Sequence, residues 1–116
     1  MIITEMSYMY RDGDNYKFTQ SVLVAGTLVL EDIKPYLDST NEEGFIPDDV
    51  GIPSAHPVGQ YEYHEESDHP WHEIDEANFE TQTRDDEVLM SSEELIEAFK
   101  QASAKGWPGQ HTFEGW

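Results

Sequence analysis

Residues 2–25 alternate with a period of two, and this pattern commits the start of the chain to a β-sheet. A turn rich in Asp, Gly and Asn, at residues 12–15, divides the alternation into two runs. Alternation with β-branched and aromatic residues on both sides of such a turn predicts an antiparallel hairpin. The alternating positions are Ile2, Thr4, Met6, Tyr8 and Tyr10 in the first run and Tyr16, Phe18, Gln20, Val22 and Val24 in the second.

The other strong local signal is a helix over about 92–105. Ser91 is followed three residues later by Glu94, the spacing of a capping box. Leu95, Ala98, Phe99 and Ala102 recur on one helical face behind it. Gly106 followed by Pro108 ends the pattern, so the helix stops at about residue 105.

The middle of the chain gives shorter elements. Leu30, Ile33 and Leu37 share a helical face, and Pro35 is tolerated only in a first turn, so we predict a short helix beginning near Glu31 or Asp32 and ended by residues 41–44. The two prolines of Phe45–Pro53 indicate a rigid apolar loop. Short strands are predicted at Tyr61–His64 and Trp71–Phe79, followed by a polar loop at Thr81–Glu87.

Together these elements predict an α+β fold. The 116 residues suit one small domain, 1–116, with a mostly antiparallel sheet of about four strands and two helices on one face. We expect an irregular acidic segment at about 62–90, and a C-terminal tail that docks Phe113 and Trp116 on the sheet.

Acidic charge bounds the partners that the protein can bind. The formal net charge is −19, and eleven of the twenty-five carboxylates fall between Glu62 and Glu87, where Arg84 is the one basic residue. Phosphate binding requires Lys and Arg, of which there are six, so nucleic acid and anionic membranes are excluded as direct ligands. A basic protein surface is the partner class that fits, and adaptation to a salt-rich cytoplasm is the alternative. The acidic partner surface would comprise Glu62, Glu65, Glu66, Asp75, Glu76, Glu80, Asp85, Asp86 and Glu87.

The expected location is the cytoplasm. The chain has no cysteine, which excludes disulfides, thiolate nucleophiles and Cys-based metal sites. The N-terminus lacks the basic region of a secretory signal. The longest apolar run, at residues 22–30, is far short of the ~20 residues of a membrane span.

Histidines interrupt the acidic stretch. His64, His69 and His72, with Asp68 and Glu73 alongside, have the ligand chemistry of a divalent metal site. Only a turn near Asp68 would bring His69 and His72 together, since the two would point to opposite faces of a strand. The alternative is that His72 packs in the sheet beside Trp71 while the other histidines are solvated, with no cofactor bound.

The turn of the N-terminal hairpin is a second candidate. Arg11 and Lys17 lie close together in sequence and could hold a phosphate or a carboxylate. A calcium loop is excluded, because Lys17 stands where an EF-hand needs glycine. The alternative is an ordinary turn in which Asp12 and Asn15 bond their own backbone.

Three phrases in order give a resemblance. They are Tyr10–Lys17 (YRD followed by NYK), Phe45–Pro53 (FIP followed by VGIP) and Asp68–Glu73 (DH followed by WHE). In these residues the chain resembles a group of small uncharacterised bacterial and phage proteins. The resemblance covers about residues 6–75 and implies a common fold without a catalytic role. It also implies that one site unites Arg11, Asp12, Asn15, Lys17, His69, Trp71, His72 and Glu73.

Three functional hypotheses follow. No phosphate loop or nucleophile elbow is present, so we expect a non-enzymatic protein that engages a basic partner, such as a phage counter-defence or regulatory inhibitor whose charge imitates nucleic acid. The alternative is a small metal-dependent hydrolase or a ligand-sequestering protein that uses the Arg11/Lys17 and His69/His72/Glu73 groups. A domain whose role is set by an unseen partner is a third reading.

Overall fold

The computed structural model describes residues 1–11, 17–55 and 69–111, and in them the chain forms a five-stranded sheet and two α-helices. The strands are β1 (Ile2–Arg11), β2 (Lys17–Ala25), β3 (His72–Glu73), β4 (Phe79–Thr83) and β5 (Met90–Ser91), and the helices are α1 (Leu30–Ile33) and α2 (Ser92–Ala104). Single 3₁₀ turns occur at Lys34–Tyr36, Ser39–Asn41, Pro47–Val50, Glu76–Asn78 and Pro108–His111. The predicted α+β fold with a mostly antiparallel sheet is confirmed.

The predicted hairpin forms the centre of the sheet. β1 and β2 pair antiparallel from Ile3 opposite Ala25 to Arg11 opposite Lys17. The alternation decides the two faces: Met6, Tyr8 and Tyr10 are almost completely buried, whereas Glu5, Ser7 and Met9 between them are half-buried. The apolar face of the hairpin therefore turns toward the core.

β1 has partners along both of its edges. β2 occupies one edge, and the other is shared end to end by β4, which pairs with Ile2–Met6, and β3, which pairs with Met9 and Tyr10. The 3₁₀ turn between β3 and β4 is capped by Asp75, whose Oδ1 accepts the Ala77 N–H at 2.9 Å. β5 adds to the far side of β2 in parallel, opposite Val24 and Ala25.

α2 covers the apolar face of the sheet. Its capping box forms as the sequence predicts: the Ser91 hydroxyl accepts the Glu94 N–H, and the Glu94 carboxylate accepts the Ser91 N–H, both at 3.1 Å. At the other end, the Gly106 N–H bonds to Ser103 O and the Trp107 N–H to Ala102 O, which is a Schellman motif. The helix thus buries its apolar stripe and delivers Trp107 to the core, which holds Met6, Tyr8, Val22, Val24, Leu28, Leu30, Ile33, Phe45, Ile46, Val50, Ile52, Leu95, Phe99, Ala102 and Trp107.

The structure corrects the predicted elements between residues 71 and 87. A strand is predicted over Trp71–Phe79, but the observed strand comprises only His72–Glu73. The 3₁₀ turn at Glu76–Asn78 follows it. The polar loop expected to begin at Thr81 is wrong for its first residues, because Phe79–Thr83 is strand β4. The acidic stretch is therefore not irregular throughout. Its carboxylates lie along a strand as well as in loops.

Two predictions for shorter elements are corrected in part. The first helix is shorter than predicted: it spans Leu30–Ile33 and does not reach residues 41–44, because Pro35 has no N–H to continue it and lies in the separate 3₁₀ turn Lys34–Tyr36. The apolar loop at 45–53 contains a 3₁₀ turn, Pro47–Val50, whose Asp49 carboxylate accepts the Gly109 N–H with both oxygens, at 3.1 and 3.0 Å. The strand expected at Tyr61–His64 and the docking of Phe113 and Trp116 lie outside the described residues.

Candidate functional site

Arg11 and Glu73 meet where β1 and β3 end. The Arg11 Nε atom lies 3.2 Å from Glu73 Oε2, in an ion pair that lacks hydrogen-bond geometry at Nε. The side chains remain 42% and 35% exposed, so the pair contributes about 0–1 kcal/mol to stability. Its importance is positional. It joins the end of β1 to the segment His69–Glu73.

His72 is a buried structural residue. Its side chain is 0% exposed and lies on the core face of the sheet, with its ring centre 5.4 Å from that of Tyr10. Nε2 accepts the Ala55 backbone N–H at 3.0 Å, so Nδ1 must carry the proton that it donates to Pro70 O, also at 3.0 Å. The neutral imidazole thereby ties residues 53–55 to the sheet. The Tyr8 hydroxyl does the same by donating to Pro53 O, and burial raises the pKa of that hydroxyl.

His69 carries the opposite tautomer. Its Nε2 lies 2.6 Å from Arg11 O, an acceptor, and therefore donates. Its Nδ1 accepts the Trp71 N–H at 3.1 Å. The ring also contacts that of Tyr10, with 5.1 Å between centres. His69 thus links the end of β1 to the segment that leads into β3 through hydrogen bonds at both ring nitrogens.

These bonds bear on the predicted metal site. Both ring nitrogens of His69 and of His72 are engaged with the backbone, so neither offers a metal a lone pair without losing a hydrogen bond. In the described ranges, no group of three His, Asp or Glu side chains could hold a metal ion. His64 lies outside those ranges, and a metal there stays a prediction.

A cavity of about 410 Å³ lies beside the ion pair. Five of the eight residues that the resemblance assigned to one site line it, and the indole of Trp71 is half-buried there. Three residues that the sequence analysis did not single out, Thr40–Glu42, complete the lining. The five that were predicted are Arg11, His69, Trp71, His72 and Glu73.

The Thr40–Glu42 wall belongs to a tight turn between Asp38 and Gly44. The ends of the turn are joined by Asp38 N–H to Gly44 O at 2.9 Å, and Asp38 Oδ1 accepts from both the N–H and the hydroxyl of Thr40. These bonds, led by the Thr40 hydroxyl, lower the pKa of Asp38. Glu42 and Glu43 adopt left-handed backbone with φ of 57° and 55°. Only the Asp-Ser-Thr-Asn composition could have signalled a turn here.

Gly44 allows this turn to approach the sheet. A Cβ on Gly44 would stand 2.7 Å from Asn41 O and 3.1 Å from His72 O. Its neighbour Phe45 exchanges both backbone hydrogen bonds with His72, at 3.1 and 2.8 Å. The outer edge of β3 is therefore covered at His72, and the turn is fixed next to the ion pair.

The remaining predicted site residues are dispersed or undescribed. Lys17 lies opposite Arg11 in the hairpin register but is exposed and does not line the cavity. Asp12 and Asn15 lie outside the described residues. The proposed anion site between Arg11 and Lys17 is further weakened because Glu73 already sits beside the Arg11 guanidinium.

The acidic surface is a separate feature, on the edge formed by β4 and its flanks. Between residues 75 and 87 there are six carboxylates, every one exposed, against a single basic side chain, Arg84. The Arg84 guanidinium forms an ion pair with Asp86, and the N-terminal amine lies 3.5 Å from Asp85 Oδ1. The six are Asp75, Glu76, Glu80, Asp85, Asp86 and Glu87, while Glu62, Glu65 and Glu66 lie outside the described residues. We call residues 75–87 the acidic edge.

Comparison with known proteins gives no match to a protein-family model, a curated protein or a solved structure. In the part of the chain that the structure describes, none of the helices is both long and apolar enough to cross a membrane.

Proposed function

We propose that the protein is a non-enzymatic binding protein whose acidic edge engages a basic surface of a partner. The observation that carries the proposal is the run of six exposed carboxylates at 75–87 around a cation that is already paired. Exposed charge of one sign, concentrated over a short length of surface, attracts an oppositely charged partner and accelerates its association. A regulatory inhibitor acting in the cytoplasm, including that of a phage-infected host, is the version we favour.

A short cationic peptide tests this proposal. The probe is a labelled seven-residue peptide with alternating lysines, Lys-Thr-Lys-Val-Lys-Thr-Lys, titrated with the protein and followed by fluorescence anisotropy. We expect affinity to fall at least about tenfold between about 50 and 300 mM salt, because the Debye length shrinks over that range. Binding that is independent of salt would contradict the proposal.

A matched pair of variants separates the acidic edge from the general charge of the protein. The edge variant carries Glu76→Gln, Glu80→Gln and Glu87→Gln. The control carries Glu31→Gln, Glu93→Gln and Glu97→Gln, which remove the same charge from exposed positions on α1 and α2. We expect the edge variant to weaken peptide binding several-fold more than the control. Equal losses would mean that net charge alone attracts the peptide.

The cavity beside Arg11 and Glu73 supports a second candidate, the sequestration of a small molecule. A volume of about 410 Å³ lies in the size range of small-molecule sites, and Trp71 offers a ring for stacking. Glu42 and Glu73 outnumber Arg11 in its lining, which favours neutral or cationic ligands. The hydrolase version loses support, because the nitrogens of His69 and His72 are engaged.

A thermal-shift screen tests the second candidate. The set would comprise free amines, guanidines, nucleotides and divalent metals. A ligand of this cavity should raise the melting temperature of the wild type and fail to raise that of an Asn41→Ala, Glu42→Gln variant. A stabilising compound that acts equally on both proteins binds elsewhere. No stabilisation by any member would remove the support for this candidate.

A further inference from the structure

We propose that the outer edge of β4 takes up an extended basic segment of the partner as an additional strand of the sheet. The inference rests on the proposed function and names its binding mode. It starts from the hydrogen bonds at the end of β4, where the Arg84 N–H bonds to Met1 O at 2.9 Å and the Met1 amine to Arg84 O at 3.2 Å. Residues 1 and 84 thus form a hydrogen-bonded pair, and such pairs alternate along an antiparallel ladder.

The register then decides which backbone groups of β4 are free to bond outward. Ile3 is opposite Gln82 and Glu5 opposite Glu80, so the backbone groups of Gln82 and Glu80 face β1. The N–H and C=O groups of the intervening residues point away from β1. These groups belong to Phe79, Thr81 and Thr83. They form a regular row with the spacing that an added β-strand needs for backbone hydrogen bonds.

This row is accessible, whereas backbone groups on the other edges are bonded within the chain at several positions. Residues 80–83 are all exposed, and in the described chain β4 pairs with β1 only. At β3, Phe45 takes both outward backbone groups of His72. At β2, the Gln20 side chain accepts the Ser21 N–H at 3.0 Å. The edge of β4 is therefore open over residues 80–83, whereas the edges at His72 and Ser21 are each bonded within the chain.

The charge on both sides of β4 indicates which kind of segment would bind to its outer edge. Asp75 and Glu76 precede β4, and residues 85–87, all acidic, follow it, so an added strand would run between two groups of carboxylates. Five residues of strand span about 17 Å, long enough for an added segment of similar length to reach both groups. A second copy of this chain would bring the same charges and be repelled. A lysine- or arginine-rich segment fits instead.

One pair in the sheet reinforces this choice. Glu5 and Glu80 are directly opposite each other on the face of the sheet away from the core. Like charges in that arrangement are destabilising. Glu80 also accepts from the Gln82 amide, and Glu5 from the Ser21 hydroxyl, but neither partner carries charge. A lysine on the added strand beside Glu80 would offset this repulsion. A segment with a lysine at every second position would place all of its lysines on that same face of the sheet.

The decisive experiment compares two peptides of identical charge on the wild-type protein. One is the Lys-Thr-Lys-Val-Lys-Thr-Lys probe. The other has the same sequence with every backbone amide N-methylated, so it retains the lysines but cannot donate to a sheet. Strand addition predicts that the unmodified peptide binds at least about tenfold more tightly, since each ladder bond contributes about 0.5–1.5 kcal/mol.

Substitution of Thr83 locates the binding edge. Thr83→Pro removes an outward N–H while leaving the ladder with β1 intact, since proline is tolerated on edge strands, and Thr83→Val is the control that retains the N–H. We expect Thr83→Pro to weaken the unmodified peptide several-fold and to leave the methylated one unchanged. Thermal melts of both variants verify that the sheet is retained.

The outcomes separate this inference from the proposed function. If both peptides bind the wild type equally well, and with the salt dependence expected above, the acidic edge attracts cations but strand addition is refuted. If neither peptide binds, both proposals fail. Because the peptide comparison uses the unaltered protein, a Thr83→Pro variant that does not fold leaves the test intact.

Discussion

His72 offers the sharpest test of how this structure is held together, because its imidazole is buried and serves two backbone partners. His72→Phe retains an aromatic ring but removes the acceptor for Ala55 N–H and the donor to Pro70 O. Ala55 is itself buried, so its N–H would have to give up hydrogen bonding or move. An orphaned buried donor costs about 1–3 kcal/mol, and the lost bond to Pro70 about 1 kcal/mol more.

The expected loss of unfolding free energy is therefore about 3 kcal/mol. For a domain of this size, that corresponds to a fall in melting temperature of about 10–15 °C. Urea unfolding followed by tryptophan fluorescence measures it, since Trp71 and Trp107 contact each other near the core. His69→Gln is the comparison. Its half-buried ring makes the loss smaller, about 1 kcal/mol.

The tautomers provide an independent measurement. Nitrogen-15 NMR of the histidine rings should show the proton on Nδ1 of His72 and on Nε2 of His69. In each ring the other nitrogen accepts a backbone N–H and therefore carries no proton. A His72→Phe protein whose unfolding free energy lies within about 0.5 kcal/mol of wild type would show that these two hydrogen bonds do not stabilise the fold. Added zinc that stabilises the wild type and not that variant would show that the imidazole binds metal instead of serving the backbone.

Three further changes test other contacts. Thr4→Val should lower stability by about 2 kcal/mol in urea melts, because the buried Thr4 hydroxyl donates to Gly26 O and accepts the Leu28 N–H; a loss no larger than that of Thr81→Val would contradict this. Gly44→Ala should cost about 1–3 kcal/mol in the same assay, since its Cβ would meet backbone oxygens, and an unchanged midpoint would mean that the turn can shift. Burial raises the pKa of Asp49, so the folded state binds this proton more tightly than the unfolded state, and stability from this group falls as pH rises through the range just above the ordinary carboxyl value. Asp49→Asn should therefore gain stability relative to wild type between about pH 3 and pH 7, and a constant difference would refute the sign.

The hairpin and α2 could be predicted because their signals are local. Period-two burial of Met6, Tyr8 and Tyr10 decides the face of β1 without reference to the rest of the chain. The Ser91–Glu94 capping box and the stop at Gly106 likewise lie within one turn of the helix ends that they define.

β4 could not be predicted in the same way. Phe79–Thr83 has almost no buried side chain, and four of its five residues are exposed, so hydrophobic alternation is absent. It is a strand because β1 offers an edge to it, and that partner lies some eighty residues earlier in the chain. Local propensity is overridden by a tertiary partner.

The candidate site also has one part that the sequence could predict and another that depends on contacts distant in sequence. The sequence connects Arg11 with Glu73 only through the resemblance between motifs, whereas the Thr40–Glu42 wall depends on left-handed backbone at Glu42 and Glu43. Glutamate rarely adopts that conformation, so no residue preference could indicate it. The engagement of both histidines with backbone groups also depends on distant partners, Ala55 and Arg11.

The double use of β1 has a consequence for how the protein is made. One edge is satisfied early, when β2 follows it in synthesis, but the other waits until β4 and the Met1–Arg84 pair can close. Contacts of such long sequence separation slow folding, because a large loop must be ordered before they form. We therefore expect the hairpin to expose one edge until residues 79–84 pair with β1, and the segment that covers this edge carries the negative charge of residues 75–87.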